Sequence, residues 1–155
     1  MRMMLSLGAL VLALVTGGSA LASDGPWFDM TCDMCKNFTA QPGLMESMQH
    51  ESHAISDGCV MVTIVDDAHA AAYQKAMEAC QVTGNKMMGG EQMHLCGMCT
   101  AMGQALMSGA KMDMVDTAAG HLMILTSADP AVIEQLQMIA KRNNEEAEKM
   151  MHSEG

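Results

Sequence analysis

The sequence predicts an α+β fold, with two helix–hairpin–helix units sharing one antiparallel sheet of about four strands around a pseudo-twofold axis. Three observations predict it. Residues 62 apart match: Gly58 with Gly120, Met61 with Met123, Asp67 with Asp129, Met77 with Ile139. A Cys-x-Met-Cys segment occurs twice, as Cys32-Asp33-Met34-Cys35 and Cys96-Gly97-Met98-Cys99, at a spacing of 64 that a short loop difference absorbs. Two runs, 60–65 and 122–125, are almost continuously apolar, as in strands at the centre of a helix-covered sheet.

The chain divides accordingly. Residues 1–22 have the pattern of a cleaved export signal: Met1-Arg2 as the positive start, an apolar run over 5–15, and the small-x-small cut Ala20-Leu21-Ala22. The run is about half the ~20 residues a membrane span needs, so no stable membrane insertion is expected after cleavage. Residues 23–150 form a single domain of two repeats, about 24–86 and 87–150, and 151–155 a flexible tail.

In the first repeat, residues 36–48 are helical in character, but Gln41-Pro42-Gly43 should break the helix, because proline lacks the N–H that the ladder needs. The second repeat has a smoother helix over 100–110, with Met102, Leu106 and Met107 on its apolar side. A hairpin follows in each. Residues 50–56 and 59–65 flank Asp57-Gly58, a type I′ signal. Residues 112–117 and 121–126 flank a three-residue Ala-Ala-Gly loop. Closing helices begin at Asp67 and Asp129 as N-caps, with Pro130 suited to a first helical position. Their apolar stripes are Ala70, Tyr73, Met77, Cys80 and Val132, Leu136, Ile139. Beyond Lys141 the chain is rich in Asn and Glu and reads as a frayed, solvated helix end.

Charge narrows the partners. The chain carries 18 acidic against 8 basic side chains, net −10, and losing Arg2 with the leader lowers this to −11. Nucleic acid and anionic membrane surfaces are therefore excluded as expected partners. The leader implies a periplasmic or secreted location, where the six cysteines meet oxidising conditions.

Strand rise and helix length return Cys59 and Cys80 to about the same level, which makes a structural disulfide the first expectation, with buried free thiols or a share in the metal site as the alternatives. The four remaining cysteines, Cys32, Cys35, Cys96 and Cys99, allow three chemistries. At helix N-termini their thiols are biased toward thiolate, and two facing pairs supply four sulfurs to one soft cation. Four thiolates suit Zn²⁺; two or three, with thioether help, suit Cu(I). His94, Met30, Met34 and Met98 are near enough in sequence to act as supplementary ligands. With 21 methionines and one Trp, one Tyr and two Phe, copper(I) is favoured over zinc. The alternatives are thiol–disulfide exchange and a purely structural staple. His50, His53, His69, His121 and His152 lack the spacing of a zinc enzyme, and no hydrolase or phosphate-binding motif stands out, so an enzyme is not expected.

Two local resemblances bear on these choices. Met30-Thr31-Cys32-Asp33-Met34-Cys35 resembles the Met-x-Cys-x-x-Cys loop of heavy-metal-associated, copper chaperone-like domains. That resemblance implies a ferredoxin-like arrangement, Cu(I) on Cys32 and Cys35, and another metal-handling or redox protein as partner. By the repeat it extends to Cys96 and Cys99, where His94-Leu95 departs from the motif. Trp27 to Lys36 also resembles the Trp-x-x-Cys-x-x-Cys-Lys region of thioredoxin-like proteins, which implies attack on a partner disulfide by the first cysteine.

Overall fold

The computed structural model describes residues 25–153, without the side chains of 151 and 153. The expected leader therefore lies outside the described residues. The elements run α1 (Lys36–Thr39), α2 (Leu44–Ser47), β1 (Met48–Ile55), β2 (Gly58–Val65), α3 (Ala70–Met88), α4 (Gly97–Met107), β3 (Lys111–Thr117), β4 (Gly120–Thr126) and α5 (Pro130–Ser153). The fold is α+β around one antiparallel sheet of order β1-β2-β4-β3. The two apolar runs are the central strands, as expected.

Strand register follows the 62-residue spacing. Met61 pairs with Met123 at the middle of the sheet. Gln49↔Ile64 and Ile55↔Gly58 in the first hairpin correspond to Lys111↔Thr126 and Thr117↔Gly120 in the second. The loops reciprocate: Val65 N donates to Ala119 O at 2.8 Å, and Ser127 N to Asp57 O at 2.9 Å. Both hairpin loops hold two residues, Ser56-Asp57 and Ala118-Ala119, so the second is one shorter than expected. No described non-glycine residue has positive φ, so the first turn is not type I′.

Each central strand opens on a glycine for one shared reason. A Cβ on Gly58 would coincide with the carbonyl oxygen of Leu125, and one on Gly120 with that of Thr63. Gly120 also sits at φ 148°. Gly120→Ala and Gly58→Ala should therefore each cost about 2 kcal/mol or more by forcing β2 and β4 apart, seen as a lower urea midpoint at unchanged m.

Local chemistry sets the helix ends. Gly43, at φ 73°, lets the chain turn from α1 into α2 after the Pro42 break. Asp67 does not cap α3, whose N-cap is His69; Asp66 organises the turn ahead of it, its carboxylate accepting from His69 N at 2.9 Å and facing His69 Nδ1 at 2.7 Å. Asp129 accepts from Ala131 N at 2.8 Å ahead of Pro130, as the sequence suggested.

All helices cover one sheet face. Cys59, Met61, Thr63 and Val65 of β2 are buried, with α5 lying across β1 and β2. The larger core includes Trp27, Cys59, Met61, Leu125, Leu136 and Ile139; a smaller one joins Leu44, Val65, Tyr73 and Ala76. The end of α5 is mostly exposed, as expected of the segment beyond Lys141, but the start of that segment is not. Asn143 is 1% exposed, accepts from Trp27 Nε1 at 2.7 Å and donates to Ser52 Oγ at 3.2 Å. Asn144 bonds both N and O of Ser52, at 3.1 and 2.7 Å, satisfying that part of edge strand β1. Beyond the apolar stripe of Val132, Leu136 and Ile139, these two amides anchor the C-terminal part of the helix.

Candidate metal centre

The first cysteine loop is wound by Asp29. Its carboxylate accepts from Thr31 N at 2.8 Å and Thr31 Oγ1 at 2.7 Å, while its carbonyl accepts from Cys32 N at 3.0 Å. Cys35 is then the N-cap of α1, and Cys96, in extended conformation, is the N-cap of α4. Cys99 lies one turn into α4, over Cys96, as i and i+3 require.

Backbone bonds fasten the two loops together. Asp33 N donates to His94 O at 2.8 Å, and His94 N donates to Asp33 Oδ2 at 2.8 Å. His94 Nε2 lies 2.8 Å from Asp29 Oδ2 and 3.2 Å from Thr31 Oγ1. Gly97 N donates to Pro26 O at 3.0 Å and Met98 N to Trp27 O at 3.1 Å, so carbonyls from the segment ahead of the first cysteine loop satisfy first-turn donors of α4. Lys36 closes on Asp33 from outside.

The outcome is a four-sulfur group. The Sγ atoms of Cys32, Cys35, Cys96 and Cys99 all lie within 4.8 Å of one another. A tetrahedral ion with metal–sulfur bonds of about 2.3 Å sets its ligands about 3.8 Å apart, and Cys35 Sγ to Cys96 Sγ is 3.8 Å. Cys32 and Cys96 are buried at 0% and 1% exposure, while Cys35 and Cys99 are partly exposed and open one edge to solvent.

The thiols are unequal electrostatically. Cys96 is held far below the usual thiol range because first Cys35 and then Cys99 donate to its sulfur. Cys35 is pushed up by its bond to Cys96, and Cys99 by its bonds to Cys35 and Cys96; each would ionise beside an existing negative charge. A cation must displace the protons on Cys35 and Cys99. Metal affinity should therefore rise with pH, by about two decades or more per unit in the neutral range, and a pH-stat should record no fewer than about two protons released per ion bound.

The other candidate residues divide. His94 sets its Nε2 against Asp29 and Thr31 and so joins the loops, and it does not belong to the four-sulfur group. Met98 packs against the larger core. Met30 is 43% exposed and Met34 half-buried on the loop itself. The expected Cys59–Cys80 disulfide is not formed, and all six cysteines are free thiols. Cys59 sits in the larger core, where burial raises its pKa to about 11. Cys80 instead turns toward the first cysteine loop, its Sγ 3.6 Å from both Met34 O and Asn37 Nδ2. Level along the chain was matched, but strand and helix direct these side chains into different surroundings.

Sequence reasoning missed Asp29, Thr31 and Asp33, the groups that orient the cysteines. The Asp-x-Thr spacing ahead of Cys32 was their available signal. Comparison with protein-family models, curated proteins and solved structures gave no match. No described helix is long and apolar enough to cross a membrane.

Proposed function

We propose that this protein binds one soft cation between its two cysteine loops and handles that ion outside the cytoplasm. The observation that carries the reading is the approach of all four Sγ atoms to within 4.8 Å, from loops more than sixty residues apart in sequence. Cu(I) is the proposed cargo. The methionine-rich composition supports it, and so does the open edge at Cys35 and Cys99, which suits an ion that is passed on. Zn²⁺ is the second reading, favoured by the presence of four sulfurs, with Cys35 Sγ and Cys96 Sγ at a tetrahedral ligand spacing. The leader-like residues 1–22 support a periplasmic or secreted setting, and a metal-handling or redox protein would then supply or receive the ion. The matched hairpin registers support two related halves, each bringing one pair of sulfurs.

Thiol–disulfide exchange fits less well. The thiol with the lowest pKa, Cys96, is also 1% exposed, so the readiest nucleophile is shielded from a partner disulfide. Titration of the reduced chain with Cu(I) and with Zn²⁺ under native mass spectrometry tests the proposal. One ion per chain, protecting four thiols from alkylation, is expected, with Cu(I) retained against Zn²⁺. Absence of bound metal, together with a mixed disulfide trapped on Cys96, would replace it by the exchange reading.

A further inference from the structure

The buried residues of the two central strands lie mainly on the helical side of the sheet, and no helix covers the other. That open face carries Val60, Val62 and Ile64 of β2, Leu122 and Ile124 of β4, and Val115 of β3, placed together by strand alternation and pairing. None belongs to either core cluster. Ile64 and Val115 are 43% and 44% exposed. Contiguous apolar surface of this kind, bordered by polar side chains, marks an interaction site.

We propose that this face is the interface of a homodimer, two sheets packing face to face about an axis parallel to the strands. Three features select a second copy as the occupant. The first is charge. Of 18 acidic residues, only Glu51 and Asp113 lie on the strands of this face, beside Lys111 and His53, so association does not bury the excess that keeps copies apart elsewhere. The second is complementarity across that axis. Pairing puts His53, Val60, Ile124 and Asp113 in one row. The twofold sets β1 of each copy over β3 of the other, so His53, which lies 3.1 Å from Glu51 within its own chain, meets Asp113 of the second copy at both ends of the row. The third is size. Four strands of seven or eight residues span roughly 20 by 23 Å, and with side-chain relief this removes on the order of 600–800 Å² per copy, close to a standard interface. The cysteine loops lie with the helices on the opposite side, so both metal centres stay accessible.

Sedimentation equilibrium of the mature chain should give twice the chain mass at micromolar concentration. Val62→Lys should give the single-chain mass, with far-UV circular dichroism and bound metal per chain unchanged. Asp113→Lys should weaken the dimer about tenfold or more, and His53→Asp combined with Asp113→His should restore it, a result that stands even if Val62→Lys fails to fold. A wild-type chain that sediments as a single copy throughout, or association only with some other protein, would overturn the proposal. So would a dimer indifferent to both Val62→Lys and Asp113→Lys.

Discussion

Replacing Cys96 with serine is expected to weaken metal binding by on the order of a thousandfold or more. Cys96 is the sulfur on which the group converges. It receives hydrogen bonds from Cys35 and Cys99, is held as thiolate by them, and is buried, so no water can take its place as a ligand at low cost. A serine hydroxyl there stays protonated and neutral, and a soft ion loses both a charge and a polarizable donor. Cys32→Ser should act similarly for the same reason of burial. Cys59→Ser should leave the number of ions bound unchanged, because its side chain belongs to the hydrophobic core. Cys80→Ser should also leave that number at one, since Cys80 lies outside the four-sulfur group while bordering its loop. His94→Ala is the intermediate case, with a loss of about 10–100-fold expected, since His94 orients the loops through Asp29 and Thr31 without donating to the ion. Competition against a chelator of known affinity measures the whole series.

Asn143→Leu should produce the largest loss of stability from a single side chain, about 3 kcal/mol. Leucine has the same number and branching of side-chain heavy atoms, so the main cost is polar. The indole N–H of Trp27 loses its acceptor at 2.7 Å inside the larger core, and Ser52 Oγ loses a donor. Chemical unfolding at constant m measures this directly. The effect should reach the metal centre, because Trp27 O is the acceptor for Met98 N at the start of α4. Metal affinity should fall with stability in Asn143→Leu, whereas Gly120→Ala, which disturbs the sheet, should leave it closer to wild type.

Much of this arrangement was legible in the residues, for identifiable reasons. A repeat period of 62 and two apolar runs define the central strands, and the matched Cys-x-Met-Cys segments mark the site, because those signals are periodic or chemically unusual. What escaped was held by single polar contacts. Asn143 and Asn144 read as solvated tail residues because only apolar periodicity was sought, yet their amides fix α5 to β1. The turn ahead of α3 is organised by Asp66 rather than Asp67, a difference of one residue, below what a capping preference resolves. Cys59 and Cys80 share a level along their elements, but a disulfide also needs converging Cβ vectors, which one-dimensional spacing does not carry. His94 stands two residues before Cys96 in sequence and so reads as a ligand; in the fold its Nε2 also joins the loops through Asp29, which spacing does not carry.

Sulfur-shell X-ray absorption on the metal-loaded chain tests whether both loops hold one ion. Sulfur scatterers at about 2.3 Å around a single ion per chain are expected, four for Zn²⁺ and about three for Cu(I), drawn from both loops, with the count falling in Cys35→Ser and in Cys99→Ser alike. Two ions per chain, each with two sulfurs, or a sulfur shell unaffected by either substitution, would contradict the account.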